Sequence, residues 1–340
     1  MSVPDLRAEL LDASVPIPRR FRALFALRSI GGDASVDALL DGLKDPSALF
    51  RHEVAFALGQ MQATRAVPKL KEVLEDASDH SMVRHEAAEA LGAIASDECA
   101  EALRTASEDE CQVVRETAVL ALQRLKHAHS ARADAAAAAA IAAAESETRA
   151  PPGEKLGSAK EKLSAGAAGA EGGDAANGDS PYMSVDPVPA ASSSISMETL
   201  TRVLLDESAD MWDRYGAMFA LRNRGPAPDV AATLGAVLAS SSSALLKHEV
   251  CYVLGQIQEK GATARDALRQ TLMDASEHPM VRHEAAEAIG SIAAADTESL
   301  LATYRADADR IVAESCEVAL DIMASEMSGE FVPLQKAVEA

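Results

Sequence analysis

The chain has 340 residues, with 32 Lys and Arg against 53 Asp and Glu, a formal net charge of −21 and a pI near 4.8. Hydrophobic residues, at 48%, suffice for a packed core, and the length fits two domains better than one. Aromatic residues are only 3%, too few for base-stacking platforms, and an acidic surface repels phosphate backbones, which excludes nucleic acid as an expected partner. The same field steers a basic protein inward.

In chain order, the N-terminus MSVPDLRAELLDASVP places acids ahead of any apolar run, unlike a secretory signal. The segment Ala34 to Asp45 is apolar at Val36, Leu39, Leu40 and Leu43, a helical stripe. The next, HEVAFALGQM, is apolar at Val54, Ala57, Leu58 and Met61, again at helical spacing. Aligning such segments puts Phe21, His52, His85 and Arg115 in one column, then Tyr215, His248, His283 and Ala313. A period near 30 to 35 residues without β-branched runs predicts stacked two-helix units. The halves are themselves related: Asp76 to Ala95 and Asp274 to Ala293 are identical at 16 of 20 positions. The expected fold is therefore all-α, an α-helical solenoid of HEAT-type repeats in two pseudo-symmetric four-repeat lobes, 1–126 and 197–340. Between them, 127–196 is rich in Ala, Gly, Ser and Pro and is expected to be a flexible low-complexity linker. Cys99, Cys111, Cys251 and Cys316 lack C-x-x-C spacing and read as core residues of a reducing compartment. The Ala-rich run from Ala135 to Ala144 is too short for a bilayer span. No membrane partner is expected, and the expected location is cytoplasmic.

The functional signal is a dipeptide at four matched positions: His52-Glu53, His85-Glu86, His248-Glu249 and His283-Glu284. Duplication alone would copy a His that merely caps or packs. The outer columns provide a control, because Phe21, Tyr215, Arg115 and Ala313 keep the apolar frame without His. Imidazole and carboxylate together suit first-row transition metals, so each lobe offers two His and two Glu toward its counterpart. H-E-x-x-H is absent from all four, which argues against a zinc protease. His80 and His278, in the turns before the motif, read as caps. Arg51, Arg84, Lys247 and Arg282 read as charges paired with neighbouring acids. A metal-free HEAT adaptor, a bilin-lyase-like protein, and another metal performing hydrolysis stay open at this point.

The H-[SP]-M-V-R-H-E-A-A-E-A-[IL]-G and [RK]-H-E-V settings, with YMSVDPVPA in the linker, resemble the deoxyhypusine hydroxylase family. The resemblance implies a di-iron monooxygenase with two Fe ions, Fe2+ in the reduced state, and O2 as co-substrate. It would hydroxylate the deoxyhypusine side chain of eukaryotic translation initiation factor five-A, forming hypusine with an external electron donor. It further implies that His52, His85 and Glu86 hold one iron, and His248, His283 and Glu284 the other. Glu53 and Glu249 are then left to engage the substrate's amines, as catalytic and substrate-binding residues. Met82 and Met280, three residues before their His, are expected to line the groove with soft apolar contacts. The long Ala/Gly-rich linker departs from the family's pattern.

Overall fold

The computed structural model describes residues 1–148, 180–259 and 261–328, and among them every regular element is helical. Eight antiparallel helix pairs follow the repeat period. The first lobe comprises α1 (Val3–Leu11), α2 (Ile17–Ile30), α3 (Gly32–Gly42), α4 (Ala48–Gln60), α5 (Val67–Glu75), α6 (Ser81–Ile94), α7 (Ala100–Ala106) and α8 (Gln112–Thr148). The second comprises α9 (Met197–Leu205), α10 (Met211–Arg222), α11 (Pro228–Ser240), α12 (Ala244–Ile257), α13 (Ala262–Met273), α14 (Pro279–Ile292), α15 (Glu298–Tyr304) and α16 (Arg310–Ser328).

One device closes four of the eight hairpins. Four buried arginines, Arg20, Arg84, Arg214 and Arg282, donate from Nε to the carbonyls of Leu10, Leu74, Leu204 and Leu272 at 2.9–3.0 Å. Each so satisfies a carbonyl left over at the end of the preceding helix. The cations before the His then tie one repeat to the next: Arg51 pairs with Asp79, Arg84 with Asp109, Lys247 with Glu277 and Arg282 with Asp307.

Glycine sets how closely the inner helices stack. A Cβ on Gly92 of α6 would stand 2.8 Å from Ala121 Cβ of α8, and one on Gly290 of α14 2.6 Å from the Ala319 carbonyl of α16. Both glycines follow their His by seven residues, two helical turns. The close approach therefore recurs on the helices that carry the motif.

The lobes then close on each other, α8 packing on α10 and α12, and α16 on α2 and α4. The joins match: Ser47 at the start of α4 donates to Glu314 of α16 (2.5 Å), as Ser243 at the start of α12 donates to Glu116 of α8 (2.8 Å). The segment expected to be a flexible linker, 127–196, is structured at both described ends. Helix α8 continues to Thr148, because alanine has the highest helix propensity. Residues 180–196 run across both lobes, with Asp186 and Val188 buried. The parts of the expected linker and C-terminal lobe at 149–179, 260 and 329–340 lie outside the described residues.

Candidate metal centre

Helices α4, α6, α12 and α14 each present a His-Glu pair to the space between the lobes. Ser47 and Ser243 cap α4 and α12 by accepting from Phe50 and Leu246 N–H, both at 3.1 Å. His80 and His278 cap α6 and α14 by accepting from Met82 and Met280 N–H, also at 3.1 Å, so their Nδ1 atoms are occupied at the helix starts. The four motif imidazoles meet at the centre. Ring centroids lie 5.4 Å apart for His52–His85 and 5.2 Å for His248–His283. Across the lobes the separations are similar: 5.2 Å for His52–His283, 5.5 Å for His85–His248 and 5.8 Å for His52–His248.

All eight motif side chains are buried. His52 Nδ1 lies 3.2 Å from Glu53 Oε1. His52 Nε2 is 3.2 Å from Glu86 Oε2 and His248 Nε2 is 3.5 Å from Glu284 Oε2, neither with hydrogen-bond geometry. Of the eight ring nitrogens, only His52 Nδ1 has a hydrogen-bond partner. A buried polar atom without a partner costs about 1–3 kcal/mol, and four clustered imidazoles, each with at least one unpartnered ring nitrogen, can supply the donors for a cation. Donor atoms of His248, His283 and Glu284 lie within 4.8 Å of one another, as do those of His52, His85 and His248. The residues thus fit a transition metal in number and type. One expected triad, His248–His283–Glu284, is assembled; of the other, His52 and His85 group with His248 from across the lobes, and His85 and Glu86 group with Glu89.

Above the imidazoles opens a cavity of about 320 Å³, lined by His52, His248, Glu53, Glu249, Phe56 and Tyr252 among others. Two further carboxylates reach it, Glu89 and Glu287, each four residues after its His. Their signal was the second Glu of H-E-A-A-E, which repeats in the same column of both lobes. Met82 and Met280 do not line the cavity. They are 0% and 1% exposed within the apolar core, because the start of each helix turns them between the helix layers rather than toward the opposite lobe.

Burial dominates the electrostatics. It holds His85, His248 and His283 well below the usual imidazole range, helped by the neighbouring imidazoles. Burial also opposes charge on His52, yet Glu53 and Glu86 together outweigh it and hold its pKa well above 6.5. Burial, reinforced by neighbouring acids, pushes Glu89 and Glu284 up to about 8 and raises Glu249 and Glu287 well above the ordinary carboxyl range. Between pH 6.5 and 8 the four raised carboxyls and His52 act in one sense and outnumber His85, His248 and His283, which act in the other by taking up protons on unfolding near pH 6.5. Carboxyls ionised in the unfolded chain stay protonated in the fold, and His52 keeps a proton that unfolding releases. Stability then falls with rising pH. The chain stripped of metal with a chelator is expected to melt at a lower temperature at pH 8 than at pH 6.5, whereas a bound cation, which favours the ionised carboxylates, reduces the difference.

HEAT repeats match residues 3–82 and 231–321, and the PBS lyase HEAT-like repeat matches residues 83–109. The chain is 42% identical to deoxyhypusine hydroxylase-B of Oryza sativa subsp. japonica, over 94% of this chain and 92% of that protein. It is 45% identical to deoxyhypusine hydroxylase of Arabidopsis thaliana, over 94% of this chain and 90% of that protein. The solved structure of human deoxyhypusine hydroxylase in complex with glycerol superimposes with a TM-score of 0.78 at 39% identity, covering 95% of this chain and 96% of that one.

Proposed function

Because the chain belongs to the deoxyhypusine hydroxylase family, we propose that it hydroxylates the deoxyhypusine side chain of eukaryotic translation initiation factor five-A, using O2 and two irons. The observation that carries this reading is the buried cluster of four imidazoles, seven of whose nitrogens have no hydrogen-bond partner, beneath an acid-lined cavity. His52, His85 and Glu86 would hold one iron, and His248, His283 and Glu284 the other. Iron so held supplies the redox chemistry by which O2 attacks an unactivated C–H bond. One oxygen atom enters the product and the other leaves as water, so an external donor must supply electrons.

The chain's own groups bind and orient the substrate. Deoxyhypusine is a lysine extended by an aminobutyl arm, a flexible dication. Glu53 and Glu249, one from each lobe and both lining the cavity, would hold its two ammonium groups by charge-assisted hydrogen bonds. Glu249, kept protonated by burial and by the nearby Glu89, would ionise as a cation enters. The Phe56 and Tyr252 rings, edge to face at 6.0 Å across the lobes, would keep water from the reacting carbon. The lobes, 1–126 and 197–340, would act as two halves of one site. No helix of the described chain is long and apolar enough to cross a membrane.

The test combines metal content with product mass. Protein purified in air is expected to hold about two irons per chain, by ligand count. With reductant and O2, deoxyhypusine-bearing factor is expected to gain the mass of one oxygen atom. A chain that holds no iron, takes up none as Fe(II) without air, and leaves the factor unchanged would be a metal-free adaptor instead.

A further inference from the structure

The two halves of the cavity are related by the repeat, and one feature breaks the relation. Helix α2 corresponds to α10, α16 to α8, Phe25 to Phe219 and Arg28 to Arg222. At the α8/α10 seam the described segment 180–188 forms a strap. Its Asp186 meets Arg222 through two hydrogen bonds, Nη1–Oδ1 at 2.8 Å and Nη2–Oδ2 at 2.5 Å. The Tyr182 ring lies 4.5 Å from the same guanidinium. The strap backbone at Val185 exchanges hydrogen bonds with the Gln60 amide, at 3.1 and 2.8 Å. An extended segment carrying one buried carboxylate therefore covers this seam, and Phe219 is fully buried.

At the α2/α16 seam no described residue plays that part. Arg28 lies 5.2 Å from the Phe25 ring and 6.0 Å from Phe56, lines the cavity, and has no ion pair or hydrogen bond from its guanidinium among the described residues. Phe25, Arg28 and Ile322 are half-buried at the edge of the cavity. We propose that this seam is the dock for the protein substrate, and that an extended segment of it lays a carboxylate on Arg28 as the strap lays Asp186 on Arg222. The proposal rests on the hydroxylase reading and refines it. A guanidinium with aromatic faces beside it, in an otherwise acidic cavity, is matched to a planar carboxylate. One-sided docking also solves a problem that the pseudo-symmetry creates. Glu53 and Glu249 are matched acids, so a dication could lie between them in either direction. With one seam covered, the target side chain reaches the cavity from the other only.

The test measures binding without turnover, on iron-loaded protein under anaerobic conditions, using two probes. One is intact deoxyhypusine-bearing factor, the other a short acetylated and amidated Gly-deoxyhypusine-Gly peptide, which has no acid. Arg28→Gln is expected to weaken the factor about tenfold and the peptide less than twofold, with Arg28→Lys falling between for the factor, since a lysine keeps charge without the planar fork. Equal binding of the factor by R28Q and the unsubstituted chain would overturn the proposal. So would tighter factor binding after truncation following Ser328, which would make the chain's own last residues the occupant. Failure of the unsubstituted chain to bind either probe would instead remove the hydroxylase reading, and the docking proposal with it.

Discussion

Replacing His85 or His283 by Ala is expected to empty the metal centre and abolish turnover. Both side chains are 0% exposed, and none of their ring nitrogens has a hydrogen-bond partner, so Ala removes a donor and no competing structural bond. The space left is a buried cavity into which a neighbouring imidazole can lean but not substitute for the lost ligand. Replacing Glu53 or Glu249 by Ala is expected to have a different signature. Iron stays bound while the substrate is held less tightly, by about 2–5 kcal/mol, the usual cost of removing one partner from a buried charged pair. Iron analysis and substrate titration on the four variants separate the cases. Equal loss of iron in all four would contradict the division of ligands from substrate-binding acids.

Gly290→Ala is expected to cost about 3 kcal/mol, the upper part of the range for overpacking, and to lower metal content as well. The added methyl would stand 2.6 Å from the Ala319 carbonyl and 2.8 Å from its Cα. These are backbone atoms of α16, so no side-chain rotation relieves the contact. Helices α14 and α16 must separate, and α14 carries His283 and Glu284. Gly216→Ala provides the control, since its added Cβ meets the Pro189 carbonyl at an ordinary 3.4 Å and the helix gains from alanine's propensity. Thermal melting should show a clear drop in Tm for the first variant and little change for the second. A Gly290→Ala chain with unchanged Tm would mean that the stacking distance is softer than the contacts imply.

Much of this centre is legible in the sequence because repetition supplies its own control. Phe21, Tyr215, Arg115 and Ala313 stand where the inner repeats have His, which separates the helix frame from the chemistry carried on it. The HEAT-type solenoid and the meeting of the four His-Glu pairs follow from that. Other features depend on partners distant in the chain. Residues 180–188 have linker composition, yet the strap is held by Gln60, Arg222 and Gln256, none of which is near it in sequence. Met82 and Met280 share the helix start with their His, but one helical turn of spacing does not tell which layer a side chain enters. Glu89 and Glu287 were visible as the second Glu of each H-E-A-A-E, and their place in the cavity becomes plain only when α6 and α14 face each other.

The matched joins at α8 with α10 and α12, and at α16 with α2 and α4, make each lobe depend on the other. A solenoid normally has two ends, each needing a terminal repeat with a polar outer face. Here each lobe finishes the other, and Ser47 with Glu314 mirrors Ser243 with Glu116. A single lobe would have neither a finished edge nor more than half of the imidazoles. Each lobe lends two of the four histidines, so the lobes expressed as separate chains are expected to need each other to complete the cluster. The joining segment breaks the match: Asp186 bonds Arg222 beside one seam, and no described residue does the same for Arg28 beside the other, an asymmetry that two identical unjoined chains would not have.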